Sequence, residues 1–114
     1  MGSYDKIFVN LETLPVTDKE KILLQNAEFQ TNDLGRGRQD YRITDDGFLE
    51  LIDWEWESIA RETRKKILGY ERLEDVHQDI FFHAHIYKPN KNSYQTCEFK
   101  ARFSYGKLGS IVRV

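Results

Sequence analysis

The sequence predicts an α+β fold, a mainly antiparallel β-sheet of five to seven strands, sandwich- or roll-like, with one or two short helices. Three observations lead there. Apolar and polar residues alternate with a period of two in several segments, as half-buried strands require. Turn residues separate those segments at hairpin spacing. One segment carries the paired side chains of a capping box, which marks a helix start.

In chain order, residues 6–12 alternate, with Ile7, Val9 and Leu11 on one side, and Pro15 closes the strand. Thr17 and Glu20 stand three apart, so each can satisfy a free backbone N–H of the other; a short helix over 18–26 follows, burying Ile22 and Leu23. Residues 32–39 read as a loop. Its two glycines and two arginines (Gly35, Arg36, Gly37, Arg38) match neither the phosphate-cradling P-loop nor the dinucleotide fingerprint, and the reading is a turn. Tyr41 and Ile43 begin a strand that turns at Asp45-Asp46-Gly47 and returns over 48–56. On that return Phe48, Ile52, Trp54 and Trp56 share a face, interrupted by Glu50, while Leu49 and Leu51 lie opposite with Asp53 and Glu55. Apolar residues on both faces predict a strand covered on both sides.

Over 57–68 the period changes. Ile59, Thr63 and Ile67 fall at helical spacing and Gly69 stands at a C-cap position, which predicts a helix with Arg61, Arg64, Lys65 and Lys66 on its exposed side. Residues 70–77 carry no readable pattern. The clearest element is the hairpin of 79–87 and 94–104, joined by a turn over 89–93. Ile80, Phe82, Ala84 and Ile86 form one apolar row, and Cys97, Phe99, Ala101 and Phe103 the other. A slip of one residue would expose one row, so both must face the core. A turn over 105–109 leads to a last edge strand near 111–114.

The 114 residues fit one domain spanning 1–114, long enough to bury a core without staples. With 39% hydrophobic and 13% aromatic residues the chain belongs with folded globular proteins, not disordered ones. Its single cysteine, Cys97, excludes an intramolecular disulfide. The N-terminus has no apolar run of signal-peptide length, no segment approaches a membrane span, and Lys6 stands where a myristoylation signal needs Ser or Thr. A cytoplasmic protein is expected. The net charge of −2 conceals a gradient: residues 1–57 balance at −7, 58–87 at zero and 88–114 at +5. An acidic face open to a basic partner is one reading of it, and interleaving by the fold is the other.

Catalytic chemistry finds little support. Cys97 sits in an apolar row, where a thiol behaves as a small hydrophobe. Asp45 and Asp46 make a turn, and Asp53 and Glu55 decorate a strand. His83 and His85 project from one strand face and are weak metal candidates, since zinc takes three or four protein ligands. Cys97 faces the other side, and His77 lies too far along the strand. No catalytic residue, metal or cofactor is expected. Two classes of binding surface remain, for protein and for nucleic acid. Trp54 and Trp56, flanked by Asp53 and Glu55, suit a protein contact, because tryptophan supplies a large apolar area with a polar handle; they equally suit the core. The basic face of Arg61, Arg64 and Lys65 is the next candidate. On the last hairpin, Phe81, Tyr87, Lys100 and Arg102 combine aromatic rings with cations, which suits nucleic-acid or nucleotide binding.

Several segments carry a resemblance: Met1-Gly2-Ser3-Tyr4-Asp5, the stretch Glu28-Phe29-Gln30-Thr31-Asn32-Asp33-Leu34, the hairpin Tyr41 to Leu49, the run from His77 to Ile80, and Ala101 to Leu108. Together they resemble a family of small uncharacterised proteins encoded by phages, prophages and related bacterial loci, over about half of the chain. Gln78 stands where such proteins usually have glycine, and 10–26 and 57–68 have no clear counterpart. The resemblance transfers no activity and no site residue. It implies a mobile-element accessory protein, a viral protein acting in the host cytoplasm by binding a host or phage protein complex, with inhibition of a defence complex as one form of that action. The expected function is therefore protein binding without catalysis, with nucleic-acid binding as the alternative and no membrane partner.

Overall fold

Strand β1 (Asp5–Phe8) buries Asp5 and Ile7 and leaves Phe8 exposed, the alternation read from the sequence. A computed structural model describes residues 4–35, 39–56, 64–88 and 91–114. The chain continues through a 3-10 turn (Leu11–Thr13), α1 (Asp18–Leu24), β2 (Phe29–Thr31), β3 (Asp40–Ile43), β4 (Leu49–Trp56), β5 (Arg64–Arg72), β6 (Asp79–Lys88), β7 (Ser93–Ser104) and β8 (Lys107–Arg113). All eight strands form one sheet in the order β5-β4-β3-β1-β2-β6-β7-β8, antiparallel except where β1 meets β3. The expected α+β class, mainly antiparallel, is the one observed.

The sheet curls on itself. Leu108 N donates to Gly47 O at 2.7 Å and Leu49 N to Gly106 O at 2.9 Å, so the β3–β4 turn meets the β7–β8 turn although four strands lie between β4 and β7 in the sheet order. Inside the curl lie both rows of the last hairpin: Ile80, Phe82 and Ala84 from β6 with Cys97, Phe99 and Phe103 from β7. The register puts Phe82 opposite Phe99, which aligns the rows as the slip argument requires. Leu14 and Leu24 join this core from the segment around α1.

Several expectations are corrected. The first strand ends at Phe8, although Val9 and Leu11 still pack against the core. Helix α1 buries Leu24, at 1% exposure, and leaves Ile22 and Leu23 in solvent; seven residues hold too few apolar positions to phase a helix from sequence. Phe29–Thr31, unassigned above, is the strand linking β1 to β6. The helix predicted over 57–68 is overturned for its C-terminal part, since Arg64–Leu68 belong to β5; residues 57–63 lie outside the described ones.

The capping box of α1 is present: Thr17 N donates to Glu20 Oε1 and Glu20 N to Thr17 Oγ1. The same carboxylate accepts both arms of Arg113 from β8, at 3.1 and 2.9 Å. Held first by Arg113 and then by the Thr17 N–H, Glu20 titrates at about 2, against 4.5 for an unperturbed carboxyl. A carboxyl depressed on folding stabilises the fold above about pH 4.5 and loses that contribution as pH falls toward 2. Solvent screening of this partly exposed pair reduces the effect to about 1 kcal/mol or less. Glu20→Gln is therefore expected to flatten the acid limb of urea-unfolding midpoints between these pH values; parent and variant losing stability in parallel would contradict the latch.

Candidate functional site

On the convex face of β3, β4 and β5, cross-strand register assembles a ladder of charged and aromatic side chains. Arg42 stands opposite Glu50, and Glu50 opposite Arg72. Arg42 holds Glu50 with two contacts of 2.7 and 2.8 Å, and Arg72 approaches the other oxygen at 3.5 Å. Glu50, which interrupts the apolar face in sequence, is buried because an arginine flanks it on each side. Each guanidinium also covers a ring: Arg42 lies 3.3 Å from the Tyr70 centroid and Arg72 3.8 Å from that of Phe48. One step along, Ile52 is buried, and the half-buried Trp54 donates its indole N–H to the buried Asp40 at 2.9 Å. Trp54 thus contributes to the fold as well as to a surface.

Beyond Asp53 the pairing of β4 with β5 slips twice, between Asp53 and Trp54 and between Glu55 and Trp56. Leu68 and Lys65 are the extra residues of these bulges, so Trp54 faces Ile67, Glu55 faces Lys66 and Trp56 faces Arg64. The hairpin brings together most of the sequence-predicted contact residues: Asp53, Trp54, Glu55 and Trp56 on one strand, Arg64 and Lys65 on the other. Arg61 lies outside the described residues. Asp53 is exposed, and the neighbouring strand exposes Ile67 at 41%, Leu68 at 57% and Tyr70 at 45%. Among the described residues β5 is the terminal strand on this side of the sheet.

The second predicted surface lies on β6 and β7. Phe81 and Tyr87 are exposed on one face of β6, with Lys100 opposite Phe81 and Tyr94 opposite Tyr87. The two tyrosine rings lie 5.1 Å apart. Acidic groups interleave with the cations here: Arg102 pairs with Asp79 at 3.3 Å, and Glu98 stands opposite His83. His83 and His85 share this face, their rings 5.2 Å apart, and His85 Nδ1 contacts Thr96 Oγ1. Among the described residues no three His, Cys, Asp or Glu side chains converge to hold a metal ion. Cys97 is fully buried. In the loop after β2, Asp33 accepts the Phe81 N–H at 2.7 Å, which anchors that loop to β6; Arg36, Gly37 and Arg38 lie outside the described residues.

Sequence reasoning missed the Arg42–Glu50–Arg72 ladder and the edge character of β5. The ladder's only signal was Glu50 itself, a carboxylate on an apolar face that demanded a cationic neighbour. Among the described residues no helix is long and apolar enough to cross a membrane. Comparison of the chain with protein-family models, with curated proteins and with solved structures finds no match.

Proposed function

We propose that this chain is a non-catalytic protein-binding module and that the β4–β5 hairpin is its contact surface. The observation that carries the reading is the cluster of Ile67, Leu68 and Tyr70, large apolar residues left exposed on a terminal strand beside Trp54. Folding gains little from apolar side chains held in water, whereas a partner that covers them gains their full transfer energy. With the resemblance to phage-encoded proteins, the module acts in the host cytoplasm on a host or phage complex, and inhibition of a defence complex is one outcome of such binding.

The test starts with an unbiased pull-down from the native host, followed by titration of the purified partner. Ile67→Ser with Leu68→Ser is expected to leave unfolding free energy within about 1 kcal/mol of the parent, as surface changes do. The same change is expected to weaken the partner by about thirtyfold or more, the loss of a hot-spot contact. Unchanged affinity would remove this hairpin from the interface. A second reading rests on the exposed Phe81, Tyr87 and Tyr94 beside Lys100: a single-stranded nucleic acid stacking on β6 and β7. A salt titration separates the two, since phosphate contacts weaken steeply as counterions compete.

A further inference from the structure

We infer that the partner binds as an added β-strand along the outer edge of β5, and that this strand is acidic. The inference rests on the protein-binding reading and specifies its geometry. Three observations carry it. First, β5 is hydrogen-bonded on one side only among the described residues, so its other side presents a row of backbone donors and acceptors. Second, β5 carries Arg64, Lys65, Lys66 and Arg72 against one acid, Glu71, whereas β4, the strand it already pairs with, carries Glu50, Asp53 and Glu55 against no cation. The molecule itself thus contains an example of the strand chemistry that β5 accepts: acidic residues interleaved with large apolar ones. Opposite charges facing each other across a strand pair stabilise it, and like charges oppose it. Third, the bulge at Leu68 adds an apolar side chain, 57% exposed, to the middle of this edge, between Ile67 and Tyr70.

A second copy of the chain fits less well. Antiparallel self-pairing centred on Leu68 sets Lys65 against Glu71 but also Arg64 against Arg72, and each strand brings three net positive charges to the other. Lysines on an edge are a known means of keeping like edges apart. The same charges that repel another β5 attract an acidic strand.

The experiment uses the full chain, isotope-labelled for backbone NMR, and three acetylated peptides of about eight residues. One alternates glutamate with valine, one alternates lysine with valine, and one repeats the glutamate peptide with alternate backbone nitrogens methylated. The glutamate peptide is expected to shift the amide signals of β5 and to slow their hydrogen exchange. The lysine peptide should bind at least about tenfold more weakly at low salt, as expected for reversed charge at a complementary surface. The methylated peptide, which cannot complete the ladder, should lose binding to a similar extent. Equal binding of the methylated peptide would overturn strand addition while leaving the protein-binding reading in place, since β5 side chains alone would then make the contact. Shifts confined to β6 and β7, or none on β5, would overturn the inference, and the serine substitutions with the purified partner then decide the wider reading separately. A concentration-dependent dimer whose β5 amides are protected without peptide would also overturn it, naming a second copy as the occupant.

Discussion

Replacing Phe99 with alanine is expected to destabilise the fold by about 3–5 kcal/mol, the usual loss for a fully buried aromatic side chain. Phe99 is 0% exposed and lies at the centre of a three-ring cluster, 5.5 Å from Phe82 and 6.2 Å from Phe29 by ring centroids. These rings come from β7, β6 and β2, so the cavity left by alanine would open in the middle of the sheet, where backbone hydrogen bonds on both sides resist collapse. The Arg113 guanidinium also covers the ring at 5.6 Å, and Arg113 ties β8 to α1 through Glu20. Loss of the ring therefore weakens the support beneath that latch. Urea unfolding at constant slope measures the change. Tyr94→Ala on the same strand, 71% exposed, is the control, with an expected cost of about 1 kcal/mol or less. Similar costs for the two substitutions would show that this face of β7 is not core.

The last hairpin was legible because its chemistry is regular. Ile80 to Ile86 and Cys97 to Phe103 alternate without a break, and only one alignment buries both rows. The capping box was legible for the same reason: Thr17 and Glu20 interact over three residues, so sequence spacing alone encodes the contact. Strand β5 was not legible. It is a terminal strand exposed at Ile67 and Leu68, and its bulges break the period of two. What remained was Ile59, Thr63 and Ile67, four residues apart, which imitates a helix. Of the binding candidates, Asp53, Trp54, Glu55 and Trp56 were read on a strand, as they are in β4, whereas Arg64 and Lys65 were read as cations of a helix face and belong to β5. The ladder was hidden because Arg42, Glu50 and Arg72 are brought together only by cross-strand register. Charge complementarity between β4 and β5 was hidden for the same reason. A gradient read along the chain becomes an acidic strand beside a basic one only when the two are paired.

Gly106→Ala is expected to cost about 3–5 kcal/mol, more than alanine at any other described glycine, because a backbone strain of about 1–3 kcal/mol and a steric penalty of similar size act together. Gly106 has φ of +74° and follows Tyr105 at +52°, so the two residues form the tight turn between β7 and β8. The His77 ring helps hold Tyr105, with Nδ1 accepting its N–H at 2.8 Å and the two rings edge to face. A Cβ on residue 106 would stand 2.1 Å from the Leu73 carbonyl oxygen, a backbone atom that no side-chain rotation can move aside. Relief would require the β7–β8 turn to withdraw, and three hydrogen bonds oppose that: Gly106 N to Val76 O, Leu49 N to Gly106 O, and Leu108 N to Gly47 O. The last two are the bonds that bring the two turns of the curled sheet together. The other glycines set the scale. Gly47 also has positive φ, +89°, but its nearest neighbour would be the Leu108 Cβ at 3.5 Å, so alanine there meets the conformational cost alone, about 1–2 kcal/mol. Gly69, in β5, has neither positive φ nor any atom within 4 Å, and alanine there should be neutral or slightly stabilising. Unfolding free energies in that order, with Gly106→Ala well separated from Gly47→Ala, are the expected result. Equal costs at positions 106 and 47 would mean that the β7–β8 turn does not close against Leu73 in solution, and the curl of the sheet would then have to be held by the side-chain core alone.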